Sequence, residues 1–182
     1  MSKTDGLTAC VFCGSSHGSI DSFQESAKKM GALLAKSNIE LVYGGGNEGL
    51  MGTLASSYQE AGNKAKGVIP YFLKHILKNH NSVNHVFVED LGERKKMMEK
   101  QSDFFIIMPG GIGTFDELFE ILAMNQLGLC KKPIGLLNTK NFFDPFINLL
   151  THLEKFGFLR TDAKEQLYIQ ASPEKLLAML VN

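Results

Sequence analysis

The stretch FFIIMPGGIGTFDE, residues 104–117, passes from an apolar run through a glycine-rich turn into a segment with helical character. Five consecutive apolar residues are typical of a short strand that is covered on both faces. A turn that leads directly into a helix then completes the strand-to-helix unit of a parallel sheet. This stretch therefore predicts an α/β fold.

The same alternation extends in both directions along the chain. Short apolar runs predict strands at Thr8–Cys13, Glu40–Tyr43, Lys66–Ile69, His85–Val88, Phe104–Met108, Pro133–Leu137 and Gln166–Gln170. Helical periodicity predicts helices at Ser22–Lys36, Leu50–Glu60, Gly92–Lys100, Thr114–Leu127, Phe143–Phe156 and Pro173–Val181. We expect a doubly wound parallel sheet of about seven strands with helices on both faces.

Length and charge limit the function. The chain has 182 residues, 44% of them hydrophobic, so residues 1–182 are expected to form one domain without disulfides or structural metal. Lys and Arg (19) balance Asp and Glu (19), so no general positive field is available for a nucleic-acid polymer, and any anion site must be local. No apolar run has the length of a signal peptide or a membrane span, so a cytoplasmic location with no membrane partner is expected.

The cysteines and histidines do not suggest a metal site. Cys10 and Cys13 form a CxxC inside an apolar strand, which favours buried structural cysteines over a zinc or redox motif. The irregular stretch Pro70–Asn84 is expected to be a mobile loop around a short helix. Its histidines and His85 lack paired helical spacing with a carboxylate, so solvated loop residues are favoured over metal ligands.

Three glycine-rich turns, at Gly14–Ser16, Gly44–Gly46 and Gly110–Thr114, each follow a predicted strand. The carboxyl ends of parallel strands meet at one edge of the sheet, so the turns should meet there too. Glycine lets the backbone approach a ligand, and free amides at the start of a helix attract anions. One such turn can be purely structural, whereas three together indicate a phosphate site that is neither a P-loop nor a dinucleotide fingerprint.

Glu117 has two interpretations that spacing alone does not separate. Thr114 and Glu117 fit a capping box, in which each side chain satisfies a backbone amide at the helix start. Alternatively, the Glu117 carboxylate lies one turn from phosphate-binding amides, where it could stabilise an oxocarbenium ion at a ribose C1′ or orient the attacking water.

Arg94 also has two interpretations. It follows the fourth predicted strand and shares a helix face with Met98, so it could bind a phosphate or carboxylate or assist a departing purine while the sulfur packs against the base. The residues alone favour a solvated basic stripe of Arg94, Lys95 and Lys96.

Several motifs together resemble the Lonely Guy (LOG) family, the cytokinin riboside 5′-monophosphate phosphoribohydrolases. They are CVFCGSS at 10–16, LVYGGGNEGLMG at 41–52, GVIP at 67–70, ERKKMM at 93–98, PGGIGTFDE at 109–117, and QLG followed by KPIGLLN. The resemblance runs from about residue 8 to the C-terminus. Members were often labelled lysine decarboxylases, but no lysine here lies in a recognisable pyridoxal-phosphate setting.

The resemblance implies a Rossmann-like homodimer that hydrolyses the N-glycosidic bond of a nucleoside 5′-monophosphate to free base and ribose 5-phosphate, without a cofactor. By position, Arg94 and Glu117 correspond to the catalytic pair. Substrate-binding positions are expected at Ser15, Gly45, Lys95, Met98, Gly110, Gly111, Gly113 and Thr114. The helix Gly92–Lys100 is the candidate dimer contact.

Two departures from the family pattern concern the base. Leu91-Gly92 replaces a methionine-histidine pair found in many relatives, and Asn47-Glu48 replaces small or apolar residues in the second glycine turn. Two alternatives stay open: a non-catalytic nucleotide-binding or cofactor-carrier protein, and a hydrolase that acts on other purine or pyrimidine monophosphates.

Overall fold

The computed structural model describes residues 4, 6–77, 83–160, 164 and 167–181. Within these residues one sheet contains seven strands, with every pairing parallel. The strands are β1 Thr8–Phe12, β2 Glu40–Tyr43, β3 Lys66–Pro70, β4 Asn84–Val88, β5 Phe104–Ile107, β6 Ile134–Leu137 and β7 Leu167–Gln170. Their order is β4-β3-β2-β1-β5-β6-β7. The predicted doubly wound parallel sheet is confirmed.

Six α-helices of the described chain cover the two faces of the sheet. They are α1 Asp21–Lys36, α2 Gly49–Glu60, α3 Leu91–Lys100, α4 Ile112–Gln126, α5 Asp144–Lys155 and α6 Pro173–Leu180. Apolar residues of α1, α2 and α6 pack in one core cluster, and those of α3, α4 and α5 pack in a second cluster on the opposite face. The central helix residues are Met30, Leu54 and Leu176 in the first cluster and Met98, Leu118 and Phe146 in the second.

The two cysteines of the CxxC motif lie on opposite faces of the sheet. Cys10 belongs to the cluster under α3, α4 and α5, whereas Cys13 belongs to the cluster under α1, α2 and α6. Successive residues of a strand alternate between its faces, so a spacing of three separates the side chains. Both thiols and that of Cys130 are free and buried. The prediction of buried structural cysteines is confirmed.

The stretch between β3 and β4 was expected to be a loop around a short helix, and its described residues contain that short helix. β3 continues through Pro70 into a 3₁₀ helix at Tyr71–Ile76, and β4 already begins at Asn84. His85 is therefore a strand residue. Lys78 and His80, and Gln166 of the last predicted strand, lie outside the described residues. No helix in the described part of the chain is long and apolar enough to cross a membrane.

The strand order places a reversal at the centre of the sheet. The chain builds β1 to β4 outward on one side and then returns to add β5 on the other side of β1. Ligands of such sheets bind at the carboxyl edge beside the reversal. The turns after β1 and β5 meet there, since the amide of Gly14 donates to the carbonyl of Pro109 at 3.0 Å.

Candidate functional site

A cleft of about 420 Å³ opens at this carboxyl edge. Its principal lining residues are Ser15, Gly44, Met51, Ile69, Leu73, Arg94, Gly111, Gly113, Thr114 and Glu117. A larger cleft of about 640 Å³ opens at the other edge of the sheet, at the amino ends of β2, β3 and β4, and contains neither the arginine nor the PGGIGTFDE turn. Because doubly wound sheets bind ligands at the carboxyl edge, the smaller cleft is the candidate site.

One end of the cleft is the start of α4. The helix begins at Ile112 with Gly111 as its N-cap, and no side chain caps it. Among the described residues, no acceptor receives a hydrogen bond from the amides of Ile112, Gly113 or Thr114. Free amides and the positive end of the helix dipole together form an anion site. This end of the cleft suits a phosphate group.

The capping-box interpretation of Thr114 and Glu117 is wrong. α4 starts two residues before Thr114, because Gly111 adopts the extended backbone of an N-cap residue. Thr114 is therefore inside the first turn. Glu117 makes its side-chain contact with α3 instead of with the amides at the helix start.

Arg94 and Glu117 form an ion pair between α3 and α4. Nη1 of Arg94 donates to Oε1 of Glu117 at 2.8 Å, and Nε donates to the carbonyl of Val68 at 3.0 Å. The two side chains are only 14% and 8% exposed. A β-carbon at Gly44 would collide with Nη2 of Arg94, so the guanidinium lies directly against this turn. The interpretation of Arg94 as part of a solvated stripe is therefore wrong.

The charge state of Glu117 depends on two opposing influences. Burial raises the pKa of the carboxyl group, whereas the charge and hydrogen bond of Arg94 lower it. Asp116 raises this pKa further and Lys95 lowers it, and the net direction is upward. A carboxyl group with a raised pKa and one specific charge partner, located in a cleft, is typical of functional sites.

The turn after β1 is held in place by the start of α2 and by the turn after β5. The amides of Leu50 and Met51, at the start of α2, donate to the carbonyl of Gly14 at 3.1 and 3.2 Å. These amides are thus engaged in fixing the first turn. At Gly110 a β-carbon would collide with Oγ1 of Thr114 and lie 2.9 Å from the amide of Gly14, so only glycine fits between them. Unlike the amides of Leu50 and Met51, the amides of Ile112, Gly113 and Thr114 are free within the described residues, so the start of α4 is the candidate anion site.

Six of the ten predicted site residues line the cleft: Ser15, Arg94, Gly111, Gly113, Thr114 and Glu117. The other four, which are not among its lining residues, are Gly45, Lys95, Met98 and Gly110. Nζ of Lys95 pairs with Oδ2 of Asp116 at 3.0 Å and with Glu120, and Met98 is fully buried in the core. Substrate contacts remain predictions for the whole set.

An apolar wall of the cleft was not predicted. Met51, Ile69 and Leu73 form it, from α2, β3 and the 3₁₀ helix. Met51 and Ile69 are in the LMG and GVIP segments of the family motifs, so these motifs could have identified them as cleft residues. Leu73 is in the short helix that was expected within Pro70–Asn84, but its sequence pattern did not identify it as a cleft residue.

The fold and the site together define a Rossmann-like α/β protein with a buried arginine–glutamate pair beside a free helix N-terminus at the sheet reversal. The family model described as possible lysine decarboxylase matches residues 51–180. A probable cytokinin riboside 5′-monophosphate phosphoribohydrolase of Oryza sativa subsp. japonica is 40% identical over 172 residues, 94% of this chain and 70% of the relative. A cytokinin riboside 5′-monophosphate phosphoribohydrolase of Arabidopsis thaliana is 37% identical over 181 residues, 99% and 84% of the two chains. The chain belongs to the LOG family.

Solved structures support the fold. The molybdenum cofactor binding protein of Rippkaea orientalis has a TM-score of 0.71 at 22% identity, covering 95% of this chain and 94% of that one. The Moco carrier protein of Chlamydomonas reinhardtii has a TM-score of 0.67 at 21% identity, with coverages of 96% and 99%. At these identities the similarity establishes only the fold.

Proposed function

We propose that this protein hydrolyses the N-glycosidic bond of a purine nucleoside 5′-monophosphate, releasing the free base and ribose 5-phosphate. The observation that carries the proposal is the buried Glu117 carboxylate, paired with Arg94 in a cleft that ends at the free amides of α4. The named activity of the relatives at 37% and 40% identity supports it.

The two ends of the cleft suit the two parts of this reaction. Glycosidic cleavage develops positive charge on the ribose and negative charge on the leaving base. The amides of Ile112, Gly113 and Thr114 anchor the 5′-phosphate, and binding energy at that remote group orients the reacting carbon. The apolar wall of Met51, Ile69 and Leu73 provides a surface on which the base can pack.

Glu117 acts in its ionised form, stabilising the ribosyl cation or orienting the attacking water. Burial opposes ionisation, and the guanidinium of Arg94 at 2.8 Å counteracts it. Arg94 also supplies the positive charge that stabilises the leaving base or the phosphate. The roles of the two residues are thus coupled through one hydrogen bond.

We further propose a cytoplasmic homodimer in which α3 contributes to the contact. Leu91, at the start of α3, is 48% exposed although it is a large apolar residue. The three free cysteines suit a reducing compartment. Sedimentation of the purified protein tests the oligomeric state, and Leu91→Asp should shift it towards the monomer.

The decisive experiment is base release from a panel of nucleoside monophosphates that includes AMP and N6-prenylated AMP, followed by chromatography. We expect release from monophosphates and much less from the corresponding nucleosides, which lack the anchor. Glu117→Gln should lower kcat by about 10²-fold or more, in the range typical of a lost catalytic group. Asp116→Asn is the matched control, because this neighbouring carboxylate is 58% exposed and faces Lys95.

Two results would contradict the proposal. A folded Glu117→Gln variant with near-normal hydrolysis would show that the carboxylate is not catalytic. Absence of base release from every monophosphate, with binding retained, would favour the carrier function, which does not require Arg94 and Glu117 to face one ligand.

A further inference from the structure

His85 on β4 reaches across the neighbouring strand to the second glycine turn. It is in register with Gly67 of β3, which has no side chain. A β-carbon at Gly67 would lie 3.1 Å from Cδ2 of His85 and 2.7 Å from Cα of Gly45. The imidazole therefore covers the space that a larger residue at position 67 would occupy, and its Nε2 lies 3.2 Å from the carbonyl oxygen of Gly45.

The imidazole has aromatic rings beside it on β4 and the 3₁₀ helix. The ring of Phe87 lies 6.3 Å from that of His85 and stacks on Tyr71 at 5.4 Å. Nζ of Lys74 lies 5.3 Å from the centre of the Phe87 ring. The imidazole thus lies beside these rings at the sheet edge, and its Nε2–H donates to the carbonyl of Gly45.

The carbonyl that His85 contacts belongs to the turn supporting Arg94. Gly45 has a φ of +77°, a conformation that favours glycine, and Gly44 directly before it lies against Nη2 of the arginine. A displacement of Gly45 must therefore move the surface on which the guanidinium rests.

We infer that His85 is a positioning residue: its imidazole fixes the Gly44–Gly46 turn, and this turn fixes the guanidinium of Arg94 beside Glu117. The inference rests on the proposed function for its catalytic consequence. His85 touches neither the cleft nor the ion pair, and it acts only through the turn.

The test compares three variants of the full chain. His85→Leu keeps a large side chain but removes the donor, and His85→Gln restores an amide N–H that can reach the carbonyl of Gly45. Val86→Ala is the matched control, since Val86 is on the same strand but on its opposite face. Gly67→Ala provides a second perturbation, because its added β-carbon pushes on Cα of Gly45.

We expect His85→Leu to lower kcat for AMP by about tenfold, the effect of one lost hydrogen bond of ordinary strength. The acidic limb of its pH profile should move to higher pH, because a displaced guanidinium lowers the pKa of Glu117 less. Asp116 and Lys95, the other charged groups that influence Glu117, pair with each other. His85→Gln should recover most of kcat, and Val86→Ala should lower Tm without moving the acidic limb.

An unchanged kcat and acidic limb in folded His85→Leu would overturn the inference, as would equal effects of Val86→Ala. Amide resonances of Gly44 and Gly46 provide a readout that does not need base release. They should shift in His85→Leu and Gly67→Ala and return in His85→Gln, and unchanged resonances would also overturn the inference. If the wild-type protein releases no base, the proposed function fails while the resonances still decide whether His85 holds the turn.

Discussion

Replacing Arg94 with methionine should destabilise the protein in a pH-dependent way. Methionine keeps a long flexible side chain but removes the guanidinium, so the buried Glu117 carboxylate loses its charge partner at 2.8 Å. The variant also loses the hydrogen bond from Nε to the carbonyl of Val68. These two losses respond differently to pH, and this difference can be measured.

The structure gives the expected magnitudes. The two side chains are 14% and 8% exposed, and removing one partner of such a buried pair costs about 3–5 kcal/mol. The lost hydrogen bond to Val68 costs about 1 kcal/mol at any pH. Glu117 has a folded-state pKa above its ordinary value, so the folded state binds the proton more tightly than the unfolded chain does. The free energy of unfolding therefore falls as pH rises from that ordinary value through the folded-state pKa. Removing Arg94 raises the folded-state pKa further, so the larger cost should be present at high pH and largely absent at low pH.

Urea unfolding of the wild type, Arg94→Met, Glu117→Gln and the double variant between about pH 5 and pH 8 tests this reasoning. The deficit of Arg94→Met should grow with pH, from about 1 kcal/mol towards the full cost of the unpaired charge. At the upper pH the double variant should recover most of the loss, since glutamine needs no charge partner. An equal deficit at both ends of the range, or additive losses in the double variant, would refute the reasoning.

Three further predictions concern single features of the site. Gly110→Ala should lower the free energy of unfolding by about 1–3 kcal/mol, because its β-carbon collides with neighbouring turn atoms. Gly113→Ala has open space around it and should be neutral or slightly stabilising, and thermal unfolding of the two variants measures the difference. Lys95→Met should cost less than about 1 kcal/mol, because the carboxylates that it pairs with, Asp116 and Glu120, are 58% and 33% exposed. KM for AMP should stay unchanged because these ion pairs face α4, and a large rise in KM would instead support a nucleotide contact. Burial raises the pKa of the thiols of Cys10 and Cys13, so a thiol reagent at about pH 8 should label them only when the protein unfolds. Rapid labelling of the folded protein would contradict this prediction.

The sheet could be predicted from the sequence because its central strands are buried on both faces. Runs such as Phe104–Ile107 are apolar throughout and end in glycine turns, and this pattern is typical of strands in a parallel sheet that is covered on both faces. The carboxyl-edge location of the turns then followed from the parallel topology. The start of α4 could not be predicted, because the spacing of Thr114 and Glu117 fits a capping box as well as it fits the interior of a helix beginning at Ile112.

The Arg94–Glu117 pair depends on tertiary structure that local spacing does not contain. The two residues are 23 positions apart, and they meet because α3 and α4 lie side by side on one face of the sheet. Lys95, one position later and about 100° further round the helix, faces Asp116 instead. Spacing alone does not decide which of the two adjacent cations faces the cleft, and only the family resemblance identified Arg94. The same reasoning applies to His85, whose partner is on a turn two strands away.

The structure gives the three consecutive glycines after β2 a different role from the one expected. They were expected to bring free amides to a phosphate, yet at each position the packing or the backbone conformation requires glycine. Gly44 lies against the guanidinium of Arg94, Gly45 has a positive φ, and a β-carbon at Gly46 would lie 2.8 Å from Cε of Met51. The turn thus shapes the charged pair and the apolar wall. Since the first amides of α2 are engaged by the turn after β1, the phosphate anchor in our proposal is assigned to the start of α4.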